Sequence, residues 1–324
     1  MSEIAVATRE LTKAFGNFTA VDTLNLDVGV GELFGLLGPN GAGKTTTVRM
    51  LCTLIEPTRG TATVAGYDIT REPAKVRREI GVVSDGVMLY KDLTVEENLR
   101  FFSTLYKLPK KIAEDRTREL LEMFGFQEKA KRQVSALSSG WGKKAMICAA
   151  LLHSPSILFL DEVTSGLDPQ SAIALRDFTK TLCKQGVTVI WTTHYMEEPE
   201  KICDRVGVIF AGKLVKVGSP DELKRSANAV TSLEVETPEL SAKQITRIRS
   251  LNDVVKVSYE EPILRITGSR KDGFIEDVTD TLRTIGAKMN AINTKEPTLE
   301  EAFISMTGGE QEIDRFLEMA SRRK

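Results

Sequence analysis

Apolar and polar side chains alternate along Ile4–Leu11 and Ala20–Val28, with Gly16 and Asn17 between them. That period of two predicts a pair of half-buried strands joined by a turn. The pattern then changes. Leu33 to Leu37 is an unbroken apolar run that stops at Gly38, as expected of a strand covered on both faces. Ser156–Leu160 and Val187–Trp191 read the same way, and Ile80–Val83 is a shorter version. A helix is predicted from the residues after Gly43 to about Leu54, closed by the turn residues Glu56–Gly60. Thr61–Ala65 reads as a short strand and Pro73–Glu79 as a short helix.

From Thr94 to about Ala136 the spacing is helical. Thr94 and Glu97 form a capping box, and Leu99, Phe102, Leu105 and Tyr106 share one face. A second helix covers about Ile112–Phe124, and core packing accounts for both stripes. Leu137–Gly140 reads as a small polar turn before an Ala- and Leu-rich helix reaching Leu152. Another helix spans Ser171–Leu182, a hairpin joins Val206–Phe210 to Leu214–Val217, and a short helix covers Pro220–Arg225. Beyond a linker at Ser226–Ala229 the order is strand, helix, strand, strand, helix, strand: Ser232–Glu236, Ser241–Leu251, Val254–Tyr259, Ile263–Thr267, Phe274–Ile285 and Lys288–Ile292. That order is the one of a ferredoxin-like module. Helices over Leu299–Met306 and Glu310–Lys324 end the chain.

The candidate chemistry sits where the buried runs end. Gly38, four residues, Gly43, Lys44, Thr45 is the spacing of a phosphate-binding loop. Glycines at 38, 41 and 43 let backbone N–H groups turn inward, and the following helix start favours an anion. Lys44 then reaches the β- and γ-phosphates, and the Thr45 hydroxyl ligates Mg²⁺. The run Ser156–Leu160 ends in Asp161 and Glu162. Two acids there are costly unless they serve something. In a phosphate-loop protein the first holds Mg²⁺ and the next activates water. His194 follows the Val187–Trp191 run; it either orients a γ-phosphate or is a satisfied rim histidine. Phe15, beside the first turn, either stacks on a base or closes a small hydrophobic corner.

Composition narrows the setting. The chain has 324 residues, 41% hydrophobic and 27% charged, with a formal net charge of −1. It is long enough for one large or two ordinary domains. The charge balance and an aromatic content of 6% argue against nucleic acid as a partner. Four scattered cysteines, without a C-x-x-C pair, read as reduced thiols of a cytoplasmic protein. Neither a signal peptide nor a membrane span is expected, so any membrane role would come through a partner.

Four motifs in this order, GPNGAGKTT, LSSGWGKK, ILFLDE with TSGLDP, and TTHYMEE, resemble the ATP-binding cassette family of transport ATPases. The likeness covers about residues 4–224. The ending PTLEEAFISMTG is similar to cassettes that serve ABC-2 type exporters, among them drug-resistance and sodium-extruding systems. The resemblance implies an α/β fold: a P-loop ATPase core with an antiparallel β subdomain and an inserted helical subdomain, plus a small α+β ferredoxin-like C-terminal domain. The implied bounds are 1–225 for the nucleotide-binding domain, with the helical part at about 87–150, then 230–308 for the accessory domain and 309–324 for a tail.

It also implies roles. Gly38, Pro39, Asn40, Gly41, Ala42, Gly43, Lys44, Thr45 and Thr46 would hold the ATP phosphates, and Phe15 would stack on adenine. Thr45, Asp161 and Asp85 would serve Mg²⁺. Glu162 would be the general base, with Lys44 and His194 on the γ-phosphate. Ser138, Ser139 and Gly140 would reach ATP bound to a second copy, with Asp168 at the seam. Such a homodimer would drive a separate membrane permease from the inner face of the cell membrane, docked near Met88, Leu89 and Tyr90. This sequence departs from the family at Asp85 (usually Gln), Ser139 (usually Gly), Trp141 (usually Gln) and Val163 (usually Pro). A soluble cassette ATPase, or a regulatory ATP-binding module with weak hydrolysis, is the alternative.

Overall fold

The alternating N-terminal stretches pair as an antiparallel hairpin, β1 (Ile4–Phe15) and β2 (Phe18–Gly29). Both run further than the alternation suggests, because pairing continues through Lys13↔Val21 to Phe15↔Phe18 at the tip. The computed structural model describes residues 3–84, 89–226, 230–269, 273–295 and 298–321. They fall in two units, Met1–Leu214 and Val215–Lys324.

In the first unit β3 (Leu33–Leu37) leads to helix α1 (Lys44–Leu51). The helix stops short of Leu54, since Thr53 takes φ +59. Strands β4 (Arg59–Val64) and β5 (Tyr67–Asp68) complete a four-stranded sheet in the order β2-β1-β4-β5. Helix α2 (Pro73–Glu79) and strand β6 (Ile80–Val83) follow. The helical block comprises α3 (Val95–Leu105), α4 (Lys110–Met123) and α5 (Ser139–Leu151). The predicted capping box of Thr94 and Glu97 opens α3. Next come β7 (Ile157–Asp161), α6 (Pro169–Lys184), β8 (Thr188–Thr193), α7 (Glu197–Ile202) and β9 (Arg205–Phe210), and the division between units falls inside β10 (Lys213–Gly218).

The second sheet runs β10-β9-β3-β8-β7-β6. Its central strands β3, β7 and β8 are buried along their whole length, and Trp191, Phe34 and Phe159 are among the largest side chains it hides. Strands β9, β3, β8, β7 and β6 are parallel, so β3, β8 and β7 end side by side. Loops beyond the carboxyl ends of such strands are where ligands bind in open α/β sheets.

In the second unit helix α8 (Pro220–Ser226) precedes β11 (Val230–Glu236), α9 (Ala242–Arg249), β12 (Val254–Glu260), β13 (Ile263–Ser269), α10 (Phe274–Thr284) and β14 (Ala291–Lys295). The sheet order is β12-β13-β11-β14, and the pairings are antiparallel. Leu233, Val235, Leu264 and Ile266 pack with Ile248, Val278 and Leu282 as its core. The last strand is Ala291–Lys295 rather than the predicted Lys288–Ile292. Its pairing with β11, from Glu236↔Ala291 to Ser232↔Lys295, sets that register. Helices α11 (Leu299–Met306) and α12 (Glu310–Ser321) follow. The predicted linker Ser226–Ala229 lies mostly outside the described residues.

Candidate functional site

The turn from β3 into α1 is glycine-rich because other chain segments crowd it. A Cβ on Gly38 would lie 2.2 Å from the Ile209 carbonyl oxygen. Gly43, the N-cap of α1, has φ +110, and a Cβ there would lie 2.6 Å from the Ala20 carbonyl oxygen. The Gly38 N–H donates to the Thr193 carbonyl at 3.3 Å, and the Gly212 N–H donates to the Ala42 carbonyl at 2.9 Å. Gly38, Pro39, Ala42 and Gly43 are buried, Asn40 and Gly41 are exposed, and Thr45 and Thr46 are half-buried. The loop therefore presents its backbone at the N-terminus of α1, the end of a helix that favours an anion.

Lys44 is 3% exposed. Its Nζ donates to the carbonyls of Gly38 at 2.7 Å and Pro39 at 3.0 Å. It also lies 3.2 Å from Glu162 Oε1. Burial pulls its pKa below the ordinary lysine value, while Glu162 acts in the opposite sense.

Asp161 ends β7 and is buried. Its Oδ1 accepts from Thr45 Oγ1 at 3.3 Å and from Thr192 Oγ1 at 2.5 Å. Thr45 and Asp161 offer hard oxygen atoms, the donors Mg²⁺ prefers. Among the described residues no group of three His, Cys, Asp or Glu could hold a metal. A Mg²⁺ here would take its other ligands from phosphate and water, as that ion does, so the donor set fits.

Glu162 sits one residue beyond the strand at φ +51. Its N–H donates to the Thr192 carbonyl at 3.1 Å and to Thr192 Oγ1 at 3.2 Å, which hold that left-handed backbone. The carboxylate lies between a cation and an imidazole: His194 Nδ1 is 3.5 Å from Glu162 Oε2. That nitrogen is buried and makes no hydrogen bond. A carboxylate so placed can accept a proton from a water molecule at the end of the sheet.

A second cluster gathers the serine turn with the Asp168 turn of the same chain. Asp168 caps α6 and accepts from the Ser171 N–H at 2.9 Å; the Ser171 hydroxyl first, and this N–H second, hold its carboxyl below the ordinary value. A Cβ on Gly140 would lie 2.8 Å from Ser171 Oγ, and Ser139 Oγ donates to the Gly166 carbonyl at 3.4 Å. Here the structure corrects the predicted turn. Ser138 is the N-cap of α5, and Ser139 and Gly140 already lie in its first helical turn. Ser139 has no positive φ, so its Cβ brings no left-handed backbone strain. Trp141 packs edge-on against Phe126 at 4.9 Å, with Lys129 Nζ 4.3 Å and Lys144 Nζ 4.6 Å from its ring.

Phe15, at the hairpin tip, is 51% exposed, with Lys13 Nζ 5.1 Å above its ring. Asp85 and Met88 lie outside the described residues. Leu89 is buried, whereas Tyr90 is exposed and stacks edge-on with Phe101 at 4.8 Å. Sequence reasoning missed Thr192, which holds both Asp161 and Glu162. A threonine closing an otherwise apolar strand was the available signal.

A family model described as ABC transporter matches residues 21–165. The chain is 36% identical over 300 residues to the linearmycin resistance ATP-binding protein LnrL of Bacillus subtilis (strain 168), covering 92% of this chain and 96% of that one. It is 35% identical over 303 residues to the Nod factor export ATP-binding protein I of Cupriavidus metallidurans, covering 93% and 97%. An ATP-binding cassette solved as a dimer in a post-hydrolysis state, bound to ADP and Pi, superposes with a TM-score of 0.60 at 25% identity, covering 66% of this chain and 98% of that one. Among the described residues no helix is long and apolar enough to cross a membrane.

Proposed function

The chain belongs to the ABC transporter family, and on that premise we propose that it is the ATP-hydrolysing subunit of an ABC-2 type export system. It works from the cytoplasmic face as an ATP-dependent homodimer on a separate membrane permease. The observation that carries the reading is the placement of Glu162 between Lys44 Nζ at 3.2 Å and His194 Nδ1 at 3.5 Å, beside a glycine cradle. Relatives named for resistance and export match almost end to end. That favours an exporter over a soluble or regulatory cassette.

In this reading the N–H groups of Gly38–Thr46 bind the ATP phosphates, and Lys44 turns from the Gly38 and Pro39 carbonyls to the β- and γ-phosphates. Thr45, Asp161 and Asp85 would hold Mg²⁺; the ion, when bound, neutralises phosphate charge. Glu162 takes a proton from the attacking water, and His194 contacts the γ-phosphate. Phe15 stacks on adenine, supported by its exposure at the hairpin tip. Ser138, Ser139 and Gly140 meet the triphosphate of the second copy, with Asp168 at the seam. Residues 1–225 form the nucleotide-binding domain, with its helical part at about 87–150. Residues 230–308 form a ferredoxin-like accessory domain followed by a helical tail. The strand order and antiparallel pairing of that module support the ferredoxin-like assignment. The permease docks near Met88, Leu89 and Tyr90, a reading supported by the exposure of Tyr90.

Glu162→Gln tests the reading. It is expected to bind Mg-ATP, lose turnover and accumulate a nucleotide-bound dimer seen by size-exclusion chromatography. Hydrolysis at the parental rate would remove Glu162 from the role of base.

A further inference from the structure

Glu198 is an acid that the proposed chemistry does not use, yet it is 5% exposed. A carboxylate so deeply buried is costly unless it is paired and hydrogen-bonded. It lies on α7, four residues beyond His194. Its Oε2 accepts from Thr193 Oγ1 at 2.7 Å and from Trp191 Nε1 at 3.4 Å. Its Oε1 faces Arg176, on α6, at 3.9 Å. Thr193 Oγ1 accepts in turn from the Tyr195 N–H at 3.0 Å. The hydroxyl of Thr193 thus ties the backbone on the far side of His194 to the Glu198 carboxylate. The Tyr195 ring lies 4.1 Å from the His194 imidazole. Both neighbours of His194 are therefore held through one side chain.

We infer that Glu198 is a positioning residue: it fastens the Thr193–Tyr195 turn to α6 through Arg176 and so keeps His194 facing Glu162. It touches neither nucleotide nor Glu162, and it acts through the imidazole. Helix α6 is capped by Asp168, whose cluster includes Ser171 and Gly140. A shift of that helix is transmitted to His194 through the Arg176–Glu198 pair. The inference about turnover rests on the proposed role of His194, whereas the inference about imidazole position does not.

The test separates the two. The chain has only two histidines, His153 and His194, so imidazole NMR resonances of the full-length protein with labelled histidine are assignable by a single His194→Ala variant. Glu198→Ala is expected to move the His194 resonance and leave that of His153 in place. Turnover is expected to fall roughly ten- to a hundredfold, as small misplacements of reacting groups do, with KM for Mg-ATP changed less than about twofold, because the phosphate cradle is untouched. Glu198→Gln, which retains an acceptor for Thr193 and Trp191, restores the resonance and most of the turnover. Thr193→Val breaks the same tie without removing the carboxylate and reproduces the shift, which covers the case of a Glu198→Ala variant that does not fold. A His194 resonance unmoved in both Thr193→Val and Glu198→Ala overturns the inference, and so does an unmoved resonance accompanied by lost turnover. If instead the resonance moves while His194→Ala hydrolyses ATP at the parental rate, the clamp stands and the proposed role of His194 falls.

Discussion

Gly43→Ala separates two costs that meet at the start of α1. Gly43 has φ +110, and an added Cβ would lie 2.6 Å from the Ala20 carbonyl oxygen. Placing a Cβ in left-handed backbone costs about 1–2 kcal/mol. Forcing it against a fixed backbone atom adds about 1–3 kcal/mol, the usual cost of overpacking. Together they predict a loss of about 2–5 kcal/mol. The unit that holds this glycine spans Met1–Leu214. At that size each kcal/mol lowers the melting temperature by about 2–4 °C, so the predicted drop is about 4–20 °C. Gly66→Ala is the matched control: its φ is +80, and nothing lies within 4 Å of an added Cβ. It pays only the backbone cost of about 1–2 kcal/mol, or about 2–8 °C. Scanning calorimetry of the full chain without nucleotide reads both, and equilibrium binding shows weakened ATP affinity for Gly43→Ala alone. Equal melting losses in the two variants would show that the Ala20 contact carries no energy, and the steric account of the loop would fail.

Other consequences are open to measurement. Thr192→Val removes a hydroxyl bonded to Asp161 and to the Glu162 backbone. Loss of such an outer partner should raise the Mg²⁺ concentration needed for half-maximal ATPase activity about ten- to a hundredfold, and a magnesium titration at the parental midpoint would refute it. His153 stacks on Tyr106 at 3.8 Å, and its pKa is lowered from 6.5, chiefly by burial. The folded state therefore favours the neutral ring: stability is full above the unfolded value of about 6.5 and falls as pH drops from there toward the lower folded value. His153→Gln should flatten that limb of a melting-temperature profile, and an unchanged limb assigns the acid sensitivity elsewhere.

The glycine-rich loop between β3 and α1 was legible because its demands are local. Gly38, Gly43, Lys44 and Thr45 are dictated by backbone geometry and charge within eight residues, and the buried strands announced themselves as apolar runs. What the sequence did not carry was adjacency. Thr192 serves Asp161 and Glu162 only because β8 lies between β3 and β7, a sheet order that no local spacing encodes. Glu198 escaped notice for the same reason: four residues past a histidine, it reads as a surface acid until Trp191, Thr193 and Arg176 close around it. The start of α5 was misplaced because Ser and Gly favour turns, whereas here both lie in helical backbone, with Gly140 against Ser171. The strand Ala291–Lys295 follows its partner β11 rather than its own apolar residues.

The position of Trp141 gives the molecule a built-in optical probe. There are two tryptophans in the chain. Trp191 is fully enclosed in the parallel sheet. Trp141 is the next residue after Gly140, only partly covered, and flanked by the ammonium groups of Lys129 and Lys144. In the proposed dimer, docking of Ser138–Gly140 against the second copy would change the polarity and charge around that ring, so emission colour and quenching of unlabelled protein are expected to follow the event.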